Sequence, residues 1–155
     1  SQGSSVGSRR KRGAQTQAIG RSRGGRTTKI HVLVDGRGRP LNLLVSPGQM
    51  GDVKAAVPLL DCVTAAYFLI ADTAYDSDSL RQYLLRRKTL PVIPNNPTRK
   101  RKHPFDERAY RRRNLIERTF CRLKDWRRIA TRYDKLATNF KAAILIAAIV
   151  IWWAN

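Results

Sequence analysis

Acidic residues are scarce in this sequence: its 155 residues carry 11 Asp and Glu against 31 Lys and Arg, a formal net charge of +20. That imbalance excludes a small acidic ligand as a sufficient partner and favours a polyanion, nucleic acid first. Cysteine is nearly absent too. Cys62 and Cys121 stand without CxxC spacing or clustered histidines. This excludes a disulfide framework and a structural zinc site, and it fits a reducing cytoplasm. Long hydrophobic runs are also missing. The last apolar run, Ala142 to Ala154, has thirteen residues closed by Trp152 and Trp153, where a membrane span needs about twenty. It reads as a buried closing helix. No apolar core of signal-peptide type stands at the N-terminus, and Ser1 in place of an initiator methionine is read as the continuation of a longer polypeptide.

What is present supports a globular protein: 42% of residues are apolar, enough for one domain with a hydrophobic core. The charge is unevenly placed. Residues 1–29 hold eight basic residues and no acidic one, residues 98–128 hold thirteen basic against four acidic, and residues 30–97 hold seven against six. A uniformly solvated basic surface, as in a ribosomal RNA-binding protein, predicts no such neutral block.

Residues 1–28, rich in Ser, Gly and Arg, read as a flexible basic arm, followed by a domain over 29–155. Lys29 to Val34 and Leu41 to Ser46, joined by the turn-forming Asp35-Gly-Arg-Gly-Arg-Pro40, predict an antiparallel hairpin. Val53 to Leu60 reads as a short helix despite Pro58. The continuously apolar Tyr67 to Ala71 suits a strand covered on both faces, as in a parallel or mixed sheet flanked by helices. Ser77 is placed to cap a helix ending at Arg86-Arg-Lys88, and Thr89 to Ile93 reads as another strand. After a proline-punctuated basic loop, one long helix is expected from about Phe105 to Ala130, then the terminal apolar helix. Elements mixed in this order argue for an α/β layer fold.

In the expected long helix, Tyr110, Arg113, Glu117 and Lys124 recur at spacings that put all four within about 60° of one another. Ala109, Ile116, Phe120, Leu123 and Ala130 form an adjoining apolar stripe, which places Glu117 at the margin of the buried face, where a carboxylate needs a partner or a metal. An ion pair with Arg113 four residues earlier is the simpler account. Asp72 ends an apolar strand, the place where open α/β sheets put their chemistry, and it also suits a cap or turn.

Taken together, Tyr110-x2-Arg113-x3-Glu117-x6-Lys124 resembles the YREK signature of DDE transposases of bacterial insertion sequences, and Ala71-Asp72-x-x-Tyr75-Asp76-Ser77 resembles the motif carrying their second catalytic aspartate. Further likenesses are AIGRSRGG at 18–25, TKIH at 28–31, Pro47 to Asp52, and residues 117–140, pointing to the insertion-sequence-five group. The resemblance implies a ribonuclease H-like α/β fold, a mixed sheet flanked by helices, with its first strand missing or truncated. It implies metal-dependent DNA cleavage and strand transfer, with Asp72 and Glu117 as catalytic ligands of Mg²⁺ or Mn²⁺ and Tyr110, Arg113 and Lys124 on DNA near the cleaved phosphate. Carboxylates suit such hard cations, and two ions about 4 Å apart can activate a water or a 3′-hydroxyl and stabilise the leaving oxygen. Arg21, Arg23, Arg26, Lys29, Arg122 and Arg128 are expected to contact DNA, mainly along its backbone. The implied partners are transposon ends and target DNA, with self-association or pairing with an upstream transposase segment.

The sequence departs from that pattern at one ligand. The family has a further aspartate on its first strand, whereas no acidic residue precedes Asp35 here, and turn chemistry accounts for Asp35. Thr73 and Ala74 stand where the family often has a basic residue and a glycine, while Asp52, Asp76 and Asp78 are given supporting roles. The chain is therefore expected to be catalytically incomplete, and a non-enzymatic DNA-binding fragment that inhibits or accompanies intact transposase is the alternative. His31 and His103 have no triad partner by spacing.

Overall fold

Backbone pairing begins early in the chain. The computed structural model describes Ala18 and residues 20–22, 25–132, 134 and 136–154. β1 (Gly20–Ser22), β2 (Gly25–Val34) and β3 (Pro40–Pro47) form a sheet in the order β1-β2-β3, with Arg21 opposite Arg26 in the antiparallel β1-β2 register. The expected hairpin is present, but β2 starts at Gly25 rather than Lys29. Of the segment read as a basic arm, residues 1–17 lie outside the described residues, while 20–22 and 25–28 are strand. There the β-branched Thr27 and Thr28 carry strand character forward: the Thr27 carbonyl accepts the Gly48 amide at 3.1 Å, and Thr28 Oγ1 donates to the Ala18 carbonyl at 2.9 Å.

Asp35 builds the hairpin turn. Its Oδ1 accepts the amides of Arg37 and Arg39 at 2.8 and 2.9 Å, and its Oδ2 accepts Arg39 Nε at 2.7 Å. Burial pushes this carboxyl up, but the Arg39 and Arg37 bonds bring it below its ordinary value. Gly38 closes the turn at a φ of +78°, where a side chain is strained. Its carbonyl accepts Thr119 Oγ1 at 2.8 Å.

The chain divides into two compact units, one comprising Ser1–His31, Leu44–Met50 and Arg122–Asn155, the other Val32–Leu43 and Gly51–Cys121. The second holds α1 (Val53–Leu60), β4 (Phe68–Ile70), α2 (Asp78–Arg86) and β5 (Leu90–Val92). β4 and β5 run parallel with Phe68 opposite Leu90, so α2 is the crossover of a β-α-β unit. Its core joins Ala56 and Leu60 of α1 to Leu80 and Leu84 of α2 and to Ile93 after β5. Pro58 is accommodated because it faces solvent, and the Asp61 amide still reaches the Val57 carbonyl at 2.9 Å. Phe68, Leu69 and Ile70 are half-buried, not covered on both faces, since β4 belongs to a two-stranded sheet. Ser77 occupies the cap position of α2 without capping it, its Oγ bonding Ser79 Oγ at 2.7 Å instead.

The single long helix expected over 105–130 is broken. α3 (Glu107–Tyr110) leads through a 3₁₀ turn (Arg111–Arg113) into α4 (Asn114–Lys124), and α5 (Arg127–Thr131) follows. A second break falls at Trp126, whose ψ of 104° is extended. Of the expected apolar stripe only Leu123 is fully buried, and Ala130 is exposed.

In the first unit, α6 (Ala137–Trp152) corrects the reading of a buried closing helix. It buries Phe140, Ile144, Ala147 and Ala148 but exposes Leu145, Ile146, Ile149 and Val150. A helix apolar all round needs neighbours on every side. No helix among the described residues is long and apolar enough to cross a membrane. The described residues form a mixed α/β arrangement of two small sheets and several helices.

Gly38→Ala is expected to cost about 1–2 kcal/mol, because a Cβ strains the backbone at the left-handed φ of +78°. Gly36→Ala, with nothing within 4 Å, stays within about 0.5 kcal/mol. Urea unfolding midpoints of the two variants check this, and equal shifts would refute it.

Candidate functional site

Two acidic positions singled out by sequence lie on different elements of the second unit. Asp72 follows β4 by two residues, at the carboxyl end of the parallel pair. It is exposed and caps the 3₁₀ turn Thr73–Tyr75, its Oδ1 accepting the Ala74 amide at 2.9 Å. The hydroxyl of half-buried Tyr75 is pushed up in pKa by burial, then by the charges of Asp52 and Asp72, so two acids from separate segments act on one tyrosine.

Glu117 stands on α4 with its side chain 56% exposed, held by Arg113 Nη2 at 2.5 Å. This corrects the expected marginal burial: the adjoining positions Ile116 and Phe120 are themselves only half-buried. An exposed i,i+4 pair is worth only a few tenths of a kcal/mol. Arg113 also lies 5.7 Å from the Tyr110 ring centroid, and Tyr110 packs edge-on against Phe105 at 5.2 Å. Tyr110, Arg113 and Glu117 therefore form one ladder. Among the described residues, no hydrogen bond or ion pair joins Asp72 to it.

The basic positions have varied surroundings. Lys124 is exposed at the end of α4. Arg122 sits 5.6 Å from the Trp152 ring centroid, and Arg128 grips Asp134 at 2.8 and 3.1 Å. Lys29 is half-buried and donates to the Met50 carbonyl at 3.2 Å. Arg21 and Arg26 are strand partners, while Arg23 lies outside the described residues.

Sequence reasoning undervalued Asp76. Its side chain is 0% exposed and lies between Arg81, 3% exposed, and Arg99, 14% exposed. Oδ1 accepts Arg81 Nε at 3.0 Å, and Oδ2 accepts Arg99 Nε at 2.8 Å and the Asn96 amide at 2.7 Å. Burial pushes the carboxyl up, but the bonds from Arg99, Asn96 and Arg81 outweigh it and bring the pKa down to about 2. Next to it, Asp78 takes Arg99 Nη1 at 2.6 Å and His103 Nε2 at 2.7 Å. The other histidine, His31, is buried against Ser46 Oγ at 2.8 Å. Asp-x-Asp before a helix looks like ordinary first-turn acidity, so the sequence carried no signal for a buried charge.

Asp72 and Glu117 are oxygen donors of the kind a hard divalent cation takes. In number they fall short of a cage, since no group of three or more His, Cys, Asp or Glu that could hold a metal ion gathers among the described residues.

Residues 1–153 match the family model described as the transposase DDE domain. The chain belongs to this family. It is 40% identical over 127 residues to a Brucella ovis protein named for the transposase of insertion sequence element IS6501, covering 81% of this chain and 98% of that one. To a Burkholderia cepacia protein named for the transposase of IS402 it is 28% identical over 137 residues, covering 81% of this chain and 63% of that protein. No solved structure matches it. This DDE transposase domain is therefore an enzyme of insertion-sequence DNA transposition, from a family that generally uses a divalent metal.

Asp76→Asn is expected to destabilise this transposase domain by about 2–4 kcal/mol at pH 7, since it leaves two guanidinium groups with one neutral acceptor. Because the folded pKa lies below the ordinary carboxylate value of 3.8, the stability linked to it, about 2 kcal/mol, is present above pH 4 and lost as pH falls toward 2. Denaturation curves of wild type and variant should converge over that window. A gap unchanged at pH 2 would refute the assignment.

Proposed function

We propose that this chain is part of a ribonuclease H-like DDE transposase catalytic domain in which Asp72 and Glu117 are two of the metal-ligating carboxylates for DNA cleavage and strand transfer. The observation that carries the reading is the Tyr110-Arg113-Glu117 ladder: an exposed carboxylate paired with an arginine of the family signature, on a strongly basic helical segment. A divalent cation, Mg²⁺ or Mn²⁺, when bound, polarises the phosphodiester and activates the attacking oxygen. The chain's own groups do the rest. Asp72 and Glu117 would hold such a cation, and Arg113, whose pairing with Glu117 is exposed and weak, would offer its guanidinium to a phosphate. Lys124 and Tyr110 add contacts to DNA near the cleaved phosphate. Arg21, Arg23, Arg26, Lys29 and Arg122 add backbone contacts, and Arg128 joins them by trading Asp134 for a phosphate.

The missing third carboxylate supports a second reading. In that reading the chain acts as a DNA-binding fragment that accompanies or inhibits intact transposase, and what favours it is that no group of three or more His, Cys, Asp or Glu that could hold a metal ion gathers among the described residues.

Plasmid nicking separates the readings. The chain alone should bind duplex DNA without Mg²⁺- or Mn²⁺-dependent nicking, and nicking should appear when a polypeptide that supplies a further carboxylate is joined to it. Glu117→Gln and Asp72→Asn should then abolish nicking, a drop of at least about 100-fold, while DNA binding changes less than about threefold. Vigorous nicking by the isolated chain, lost in Glu117→Gln, would refute incompleteness. Nicking that survives both variants would refute their role as ligands.

A further inference from the structure

Between β5 and α3 the chain runs fourteen residues, Ile93 to Asp106, without helix or strand. Segments of this length without regular structure are uncommon in a compact unit, and ordered ones usually serve a function. This one is ordered by its own side chains. The Asn95 amide closes it across eight residues, Nδ2 donating to the His103 carbonyl at 2.9 Å and Oδ1 accepting the His103 amide at 2.8 Å. Asn96 Oδ1 turns the chain by accepting the Thr98 amide at 3.1 Å and hydroxyl at 2.9 Å. From below, Asp76 holds the Asn96 amide and Arg99, and Asp78 holds Arg99 and His103. The result is a closed loop tied at both ends and in its middle.

Four consecutive cations lie in this loop, and they divide cleanly. Arg99 turns inward onto the two aspartates, with its side chain 14% exposed. Lys100, Arg101 and Lys102 are exposed. We propose that residues 95–103 form a prearranged contact for the phosphate backbone of duplex DNA, with Lys100, Arg101 and Lys102 as phosphate ligands and Arg99 as the internal tether. The inference rests on the transposase reading above and adds a surface to it.

Three arguments support it. Crowding three like charges on an ordered loop costs repulsion that a polyanion relieves, and a merely solvated run has no need of closure from both sides. The ordering entropy is met in folding, so it is not charged again to binding. Composition selects the partner: the segment NNPTRKRKH has no Phe, Tyr or Trp on which unpaired bases would stack, its one ring, His103, is held by Asp78 at 2.7 Å, and it has no large apolar residue to enter a membrane.

The test compares the full chain with Lys100→Ala/Arg101→Ala/Lys102→Ala and with a control of equal charge, Lys54→Ala/Arg86→Ala/Lys88→Ala, whose three residues are also exposed. Binding to a fluorescent 30-base-pair duplex is measured from 50 to 300 mM NaCl. The loop variant should flatten the slope of log K against log salt by about 2–3, and the control by less than about 1. Asn95→Ala, which keeps every charge, should weaken binding several-fold and speed tryptic cleavage at residues 99–102. Equal slopes for the two triple variants would overturn the surface while leaving the transposase reading intact. Faster cleavage with unchanged affinity would overturn the prearrangement. A wild-type chain that does not bind duplex, or prefers single-stranded RNA or anionic vesicles, would overturn both this inference and the reading beneath it.

Discussion

A carboxylate with no exposed surface, set between two guanidinium groups, is the constraint on which the second unit depends. Asp76 sits where the chain leaves β4 and turns into α2, Arg81 lies one turn into that helix, and Arg99 comes from the loop beyond β5. Arg81 also donates to the Ile93 carbonyl at 2.8 Å, so the same network fixes the exit of β5. Burying three charges is costly, and the cost is met only because both carboxylate oxygens and the backbone amide of Asn96 are engaged. The arrangement specifies a geometry as much as it stabilises one. It places the Asp72 turn, the start of α2 and the basic loop relative to one another within a single unit.

This division of labour separates structural acids from available ones. Asp35, Asp76 and Asp78 are committed to turn, core and loop, and Asp134 is held by Arg128. Asp72 and Glu117 are exposed and bound only by an amide and by one arginine, interactions easily exchanged in water.

The apolar face of α6 marks a different economy. Leu145, Ile146, Ile149 and Val150 stay in solvent because one packed layer covers only one stripe of a helix that is apolar all round. Sequence periodicity found the helix and could not say how many neighbours it has. The same limit applies to β4: a run of apolar residues announced a strand, but whether both faces are covered depends on elements far away in sequence.

By itself the sequence determined what local chemistry controls. The hairpin and its Asp35 turn, the helix at Val53–Leu60, the strand before Asp72, and the membership in a transposase family through the Tyr110-Arg113-Glu117-Lys124 spacing were all legible, because turn propensity, short-range periodicity and fixed offsets are properties of neighbouring residues. Only tertiary structure decided which charges are buried. Asp76 and Asp78 read alike as helix-start acids, yet one is sealed and the other 64% exposed, and of four adjacent cations only Arg99 turns inward. Burial depends on what packs above a residue, and here the covering groups come from about twenty positions further along the chain.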